Sequence, residues 1–200
     1  MNKMTICTAV AVLLFCLIWD NPVQAATNNY ITEYHSDGYY SFEWYQEHEN
    51  GSIFPDIYRF QTPDNYREIG IGAGQVFPWR EDYSYGCVLA GYLAHGNYGE
   101  WWLEPGLIAW GEEENWGFNI PIFQYFALND EAYNYTFFDE ARVYLRLNDE
   151  IRFGMSSVVF LDSQDFTEDH GHFLEFDTKI GTVRVSYRAD EFEINLSGSF

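Results

Sequence analysis

Toward the C-terminus, apolar and polar residues take strict turns. In the last run Phe192, Ile194, Leu196, Gly198 and Phe200 share one face, and Glu191, Glu193, Asn195, Ser197 and Ser199 share the other. Before it, Val183, Val185 and Tyr187 alternate with Thr182, Arg184, Ser186 and Arg188. Before that, Leu174, Phe176, Thr178 and Ile180 alternate with Phe173, Glu175, Asp177 and Lys179. A period of two predicts strands with one greasy and one polar face. Further upstream, Tyr133, Tyr135, Phe137, Ala141, Val143, Leu145 and Leu147 alternate with Arg142, Tyr144 and Arg146. Ile151, Phe153, Met155, Val159 and Leu161 alternate with Arg152, Gly154 and Ser156.

Turn positions set registers that can be compared. A turn at Ala189-Asp190 pairs Arg188 with Glu191, Tyr187 with Phe192 and Val185 with Ile194. A turn at Gly181-Thr182 pairs Ile180 with Val183 and Phe176 with Tyr187. A turn at Asn148-Asp149-Glu150 pairs Leu147 with Ile151. All three keep apolar residues opposite apolar ones, as a shared face requires. The Gly181-Thr182 register also sets Lys179 against Arg184, a like-charge contact that counts against it.

Earlier strands are predicted near 38–47, 67–77, 83–95, 99–111 and 115–127. Residues 26–37 read as a loosely ordered lead-in. Residues 47–65 contain Asn50-Gly51, Pro55, Pro63 and Asp64 and read as a long loop. The total is about ten strands, each near the ~9–11 residues that cross a bilayer as tilted β. The expected fold is all-β: an antiparallel up-and-down meander closed into a small barrel, one domain over residues 26–200. An even strand number puts both termini at one end. Turns near 78–82, 112–114, 148–150 and 181–182 then share that end with them. Segments near 49–65, 128–132 and 162–170 form the outer loops. Pro105 and Pro121 inside strands oppose this, since proline cannot donate a ladder bond. Gln75, Gln124 and Asp139 on lipid-facing positions also oppose it. The soluble alternative, a β-sandwich or lipocalin-like barrel, buries the same greasy faces against each other.

Residues 1–25 carry a secretory signal. Lys3 precedes an apolar run from Ile6 to Trp19, Asn21-Pro22 breaks it, and Val23-Gln24-Ala25 offers a cleavage site. The run is shorter than the ~20 residues of a spanning helix. Leader, amphipathic strands and a last strand ending on Phe200 together resemble bacterial outer-membrane β-barrel proteins. The resemblance implies an outer-membrane location, a lipid boundary, and recognition of Phe192, Ile194, Leu196 and Phe200 by the barrel-assembly machinery.

The net charge is −21, and Lys179 is the only lysine beyond the leader. Nucleic acid is excluded as a partner, because nothing neutralises phosphate. Aromatics make up 20% of the chain, a surplus that suits membrane-interface girdles or sugar stacking. Trp79, Trp101, Trp110 and Trp116 lie near strand ends and fit the girdle. Cys87 is the lone cysteine after residue 25, so no internal disulfide is expected. The glycines of Gly70-Ile71-Gly72-Ala73-Gly74 are read as space for bulky neighbours inside the barrel.

Candidate chemistry gathers on the polar face of the last five strands. Arg142, Arg146, Arg152, Arg184 and Arg188 share it with Glu175 and Asp177, and only Arg59, Arg67 and Arg80 lie elsewhere after the leader. Guanidinium forks suit carboxylate or phosphate, so this face is the candidate site for small anionic solutes or glycans. A charge-paired filling of a narrow lumen, giving a structural barrel, is the plainer reading. A secreted carbohydrate-binding sandwich and an outer-membrane lipid-modifying enzyme are the other functions considered. No catalytic set, cofactor or metal site is selected by spacing; His170-Gly171-His172 reads as a polar loop.

Overall fold

The computed structural model describes residues 26–162, 165–188 and 190–199. The leader, Ser163 and Phe200 lie outside these residues. Twelve strands follow one another: β1 (Ala26–His35), β2 (Tyr40–His48), β3 (Ser52–Gln61), β4 (Arg67–Pro78), β5 (Tyr85–Gly96), β6 (Trp101–Glu112), β7 (Trp116–Ala127), β8 (Tyr135–Arg146), β9 (Ile151–Leu161), β10 (Phe166–Thr178), β11 (Gly181–Arg188) and β12 (Glu191–Ser199). Each pairs antiparallel with its neighbours, and β1 pairs with β12, so the sheet closes on itself. Closure removes every sheet edge and excludes a two-sheet sandwich.

Two strands beyond the expected ten come from segments read as irregular. The lead-in forms β1, which pairs with β12 from Asn29↔Ser199 to His35↔Glu193. Closing the barrel supplies the partner that local sequence does not reveal. The loop expected over 47–65 contains β3, whose register with β4 shifts between Ile53 and Asp56, around Pro55. Because two strands were added, the termini still share an end; the turn at 49–51 moves to that end. The outer loop expected over 162–170 is short, because β10 begins at Phe166.

Outward positions form an apolar band. Ile69 and Ile71 are each 52% exposed and Val143 58%, joined by Leu89, Leu93, Leu107, Phe153 and Met155. A surface of this extent is incompatible with water and fits lipid, which sets aside the lipocalin-like alternative. Aromatics flank the band: Phe77, Trp79 and Trp116 toward the terminal end, Trp101, Tyr98, Phe166, Tyr187 and Phe192 toward the other. Trp110 departs from the girdle expected of it. It turns inward, over Gly86, and its indole donates to the Tyr83 carbonyl at 3.0 Å.

The prolines are absorbed by irregular pairing. No residues pair between β6 and β7 from Leu103↔Phe126 to Gly106↔Phe123, the stretch holding Pro105. The β7–β8 register shifts between Asn119 and Ile122, the stretch holding Pro121. The β8–β9 register shifts at the facing site, between Phe138 and Ala141. This is a β-bulge, and it reverses the alternation of β8. Tyr135 and Phe137 therefore point inward, where Tyr135 stacks on Tyr125 at 4.0 Å, while Val143, Leu145 and Leu147 point to lipid. Asp139 lies in the bulge rather than on a regular lipid-facing position. Gln75 and Gln124 do face outward, and their amides are tied to the sheet. Gln75 donates to the Asn50 carbonyl at 3.0 Å, and Gln124 to the Tyr135 carbonyl at 2.7 Å.

Three registers were expected. That of β11–β12 is found as read, with Arg188↔Glu191, Tyr187↔Phe192 and Val185↔Ile194. Leu147 and Ile151 meet at the β8–β9 turn through a 2.9 Å backbone bond. The β10–β11 register differs by two residues on each strand: Phe176 pairs with Val183, and Glu175 with Arg184. The turn, again of two residues but at Lys179-Ile180, keeps each face unchanged and replaces the Lys179–Arg184 clash by an opposite-charge pair.

Candidate functional site

The lumen is filled from both walls by period-two positions. On β8, β9 and β11 these are Arg142, Arg146, Arg152, Arg184 and Arg188. On β10 they are Phe173, Glu175 and Asp177. The structure brings all seven sequence-selected polar residues to the interior, in one connected network. Arg146 Nη1 lies 3.0 Å from Glu112 Oε1 at the terminal end. Arg152 reaches Glu175 at 3.1 Å and Asp177 at 2.8 Å. Arg142 Nη1 donates to the other Glu175 oxygen at 3.3 Å. Arg184 pairs with Glu140 and lies 3.8 Å from Glu175. Arg188 Nη2 donates to Glu193 Oε2 at 2.8 Å. The chain of guanidinium and carboxylate groups runs the length of the barrel.

Glu140 is a member the sequence concealed. It is the bulge residue, with φ of 51°, a left-handed conformation that glutamate seldom adopts. The bulge turns its carboxylate inward to Arg184, which is how such features re-aim a side chain. The assembly-signal residues Phe192 and Ile194 face outward at 61% and 45% exposure. Phe200 lies outside the described residues.

The opposite wall, from β2 to β7, carries carboxylates and tyrosines in place of arginines. Tyr58 Oη lies 2.7 Å from both Glu68 and Glu104, and Tyr66 donates to Glu68 at 2.8 Å. Tyr92 donates to Asp56 at 2.6 Å. Flat-lying rings need a floor without side chains, and glycine provides it: a Cβ on Gly70 would strike Tyr58, and one on Gly72 would strike Tyr92. The glycine run thus makes room inside the barrel. Trp102 and Tyr125 pack beside them, edge to face at 6.3 Å.

Between the two ends, interior side chains from both walls are closely packed. Glu104 is 1% exposed, and Phe173 and Ser186 are each 2% exposed. Space opens at the ends. At the terminal end a cavity of about 510 Å³ is lined by Arg80, Tyr83, Trp110, Glu112, Glu113 and Arg146, among others. At the far end a smaller one of about 180 Å³ is lined by His35, Val158, Asp169, Arg188, Glu191 and Glu193. His170 and His172 belong to strand β10 rather than to a loop and share its outer face, where His172 stacks on Phe153 and His170 lies 3.7 Å from Glu168.

No protein-family model and no curated protein matches the chain. Solved structures do match its fold. The KdgM porin, in a complex described as holding disordered oligogalacturonate, superposes with a TM-score of 0.62 at 10% identity, over 87% of this chain and 98% of that one. The NanC porin gives 0.56 at 10% identity, over 88% and 99%. The Acinetobacter baumannii outer membrane protein Omp33 gives 0.51 at 13% identity, over 88% and 97%. The fold is therefore the one these outer-membrane barrels share.

Proposed function

We propose that this protein is an outer-membrane barrel of narrow bore that binds and passes small anionic solutes, acidic saccharides foremost, along its arginine wall. One observation carries the reading. Arg142, Arg146, Arg152, Arg184 and Arg188 form an uninterrupted interior line that the carboxylates of a solute can follow by exchanging partners with Glu112, Glu175, Asp177 and Glu193. Guanidinium forks suit such exchange, because they hold carboxylates two-pronged. The vestibule at the terminal end adds Arg80 and the rings of Trp110 and Tyr83, a surface suited to a sugar acid. The outward apolar band, and the porins that share the fold, support the location.

The belt at Glu104, Phe173 and Ser186 favours a second reading, a paired lumen that stabilises the barrel and conducts nothing. Reconstitution in a planar bilayer separates the two. The solute-passing barrel gives steady conductance, and millimolar oligogalacturonate interrupts it. A silent bilayer with intact barrels leaves the structural reading.

A further inference from the structure

We infer that the seam closing the barrel holds a divalent transition-metal ion, ligated by His35, Glu33 and Glu193, with Asp37 and Glu191 beside them. This site meets the proposed solute path at Glu193, which Arg188 also holds. It uses β1 and β12, the two strands most distant in sequence, at the end of the lumen opposite the vestibule.

Three potential ligands converge from the two strands of the seam. His35 Nε2 lies 3.3 Å from Glu33 Oε1 and 3.8 Å from Glu193 Oε2. The ligand atoms of these three residues all fall within 4.8 Å of one another, as do those of His35, Asp37 and Glu191. Ligand atoms each about 2.0–2.2 Å from one ion stand roughly 3–3.6 Å apart; the His35–Glu33 pair has that spacing, and Glu193 reaches it by a shift of a few tenths of an ångström. A shared proton suits the spacing less. An imidazole N–H reaches one oxygen, and ordinary N–H···O bonds measure about 2.7–3.2 Å, shorter than either separation here.

A second observation points to a missing partner. His35 Nε2 and Glu193 Oε1 are both buried without a hydrogen-bond partner, and Glu193 is only 2% exposed. His35 Nε2 and the carboxylates of Glu33 and Glu193 face one another closely enough for one cation to touch all three. Charge around the site agrees. Glu33, Glu193, Asp37, Glu191 and Asp169 surround it, against the guanidiniums of Arg184 and Arg188.

The surroundings already hold the ligands in place. Ser41 Oγ donates to Glu33 Oε2 at 3.2 Å, leaving Oε1 for the ion. Arg188 holds Glu193 Oε2, and Tyr39 packs on the His35 ring at 4.5 Å. Ser36 and Phe192 are joined by two hydrogen bonds, of 2.8 and 3.1 Å, which fix β1 against β12 at this height. Outer partners of this kind orient metal ligands. One imidazole with carboxylates selects zinc, nickel, copper or manganese over calcium and magnesium, which favour all-oxygen sites. Because the ligands come from both ends of the chain, the ion staples the seam and binds only the closed barrel.

The test uses the refolded barrel without a histidine tag, stripped by chelator and titrated with zinc chloride. One zinc per barrel is expected, with an unfolding midpoint that rises with zinc. His35→Gln should weaken binding at least tenfold and abolish that rise, while His172→Gln changes neither. Should His35→Gln fail to fold, a barrel with His48, His95, His170 and His172 all replaced by Gln keeps His35 as its sole imidazole. Its copper(II) spectrum should then show coupling to one nitrogen. No stoichiometric uptake, equal binding by His35→Gln, or a copper spectrum without nitrogen coupling each overturns the site.

Discussion

Carboxylates line both walls of the lumen, but they keep different company. From β8 to β12 the interior acids meet guanidiniums: Glu140 with Arg184, Glu175 with Arg142 and Arg152, Glu193 with Arg188. From β3 to β6, Asp56, Glu68 and Glu104 meet the phenols of Tyr58, Tyr66 and Tyr92. A guanidinium brings five donors and a full charge, whereas a phenol brings one proton. The first wall is therefore knit by ion pairs and the second by phenol hydrogen bonds, and each keeps unpartnered buried oxygens: Glu140 Oε1 and Glu193 Oε1 on one, Glu104 Oε1 and Asp56 Oδ1 on the other. The proposed solute path follows the first wall.

The comparison predicts unequal responses to mutation. The largest is at Arg184, which is 5% exposed and serves Glu140, Glu175 and Glu193. Arg184→Ala strands buried carboxylates and should cost about 3–5 kcal/mol, read as a lower urea midpoint in a detergent- or vesicle-reconstituted barrel. Next is Gly72→Val on the tyrosine wall, where the added side chain strikes Tyr92 and the Gly91 carbonyl. Overpacking should cost about 1–3 kcal/mol, with Tyr92 fluorescence or packing altered and the arginine wall unchanged.

Glu104→Gln inverts the sign. It removes one of two acids competing for the Tyr58 proton and adds a donor, so stability should hold or rise by about 1 kcal/mol. Glu175→Gln on the arginine wall should lower it. If both substitutions destabilise alike, the two walls do not differ as described. The smallest effect is at the rim. Arg80 and Glu113 pair at 3.2 Å but are about half exposed, so Arg80→Gln should shift stability by less than about 0.5 kcal/mol.

The arginine wall was legible because its strands alternate cleanly and their turns are short. Arg142, Arg146, Arg152, Arg184 and Arg188 could be assigned to one face from periodicity alone. The tyrosine wall was not. Its inward positions mix glycine with tyrosine and glutamate, and its outward ones include Gln75 and Pro105, so neither face is uniformly polar. Strand β1 mixes polar residues with Tyr30, Ile31 and Tyr34 without a clean apolar face, and its pairing with β2 and β12 is what makes it a strand. The bulge at Glu140 was hidden for a related reason: Tyr135 and Phe137 are apolar yet inward, so the pattern passes through the reversal without a visible break. The β10–β11 register was readable in parity but not in absolute position, since the four-residue slip, from Tyr187 to Val183 opposite Phe176, preserves both faces. The charge clash at Lys179 and Arg184 was the signal against the expected turn. The cluster around His35 joins residues from opposite ends of the chain, and no local spacing can announce it.

The reversal potential of the reconstituted barrel under a salt gradient tests most directly whether the arginine wall sets what passes. Arg146 is the residue to change, because it lies at the vestibule, partly exposed, and its loss leaves the central pairs intact. The wild-type barrel should conduct with a preference for anions. Arg146→Gln should move the reversal potential toward the cation side while the protein stays folded and inserted. A steady current whose selectivity is the same in both proteins, or favours cations in the wild type, would contradict the account.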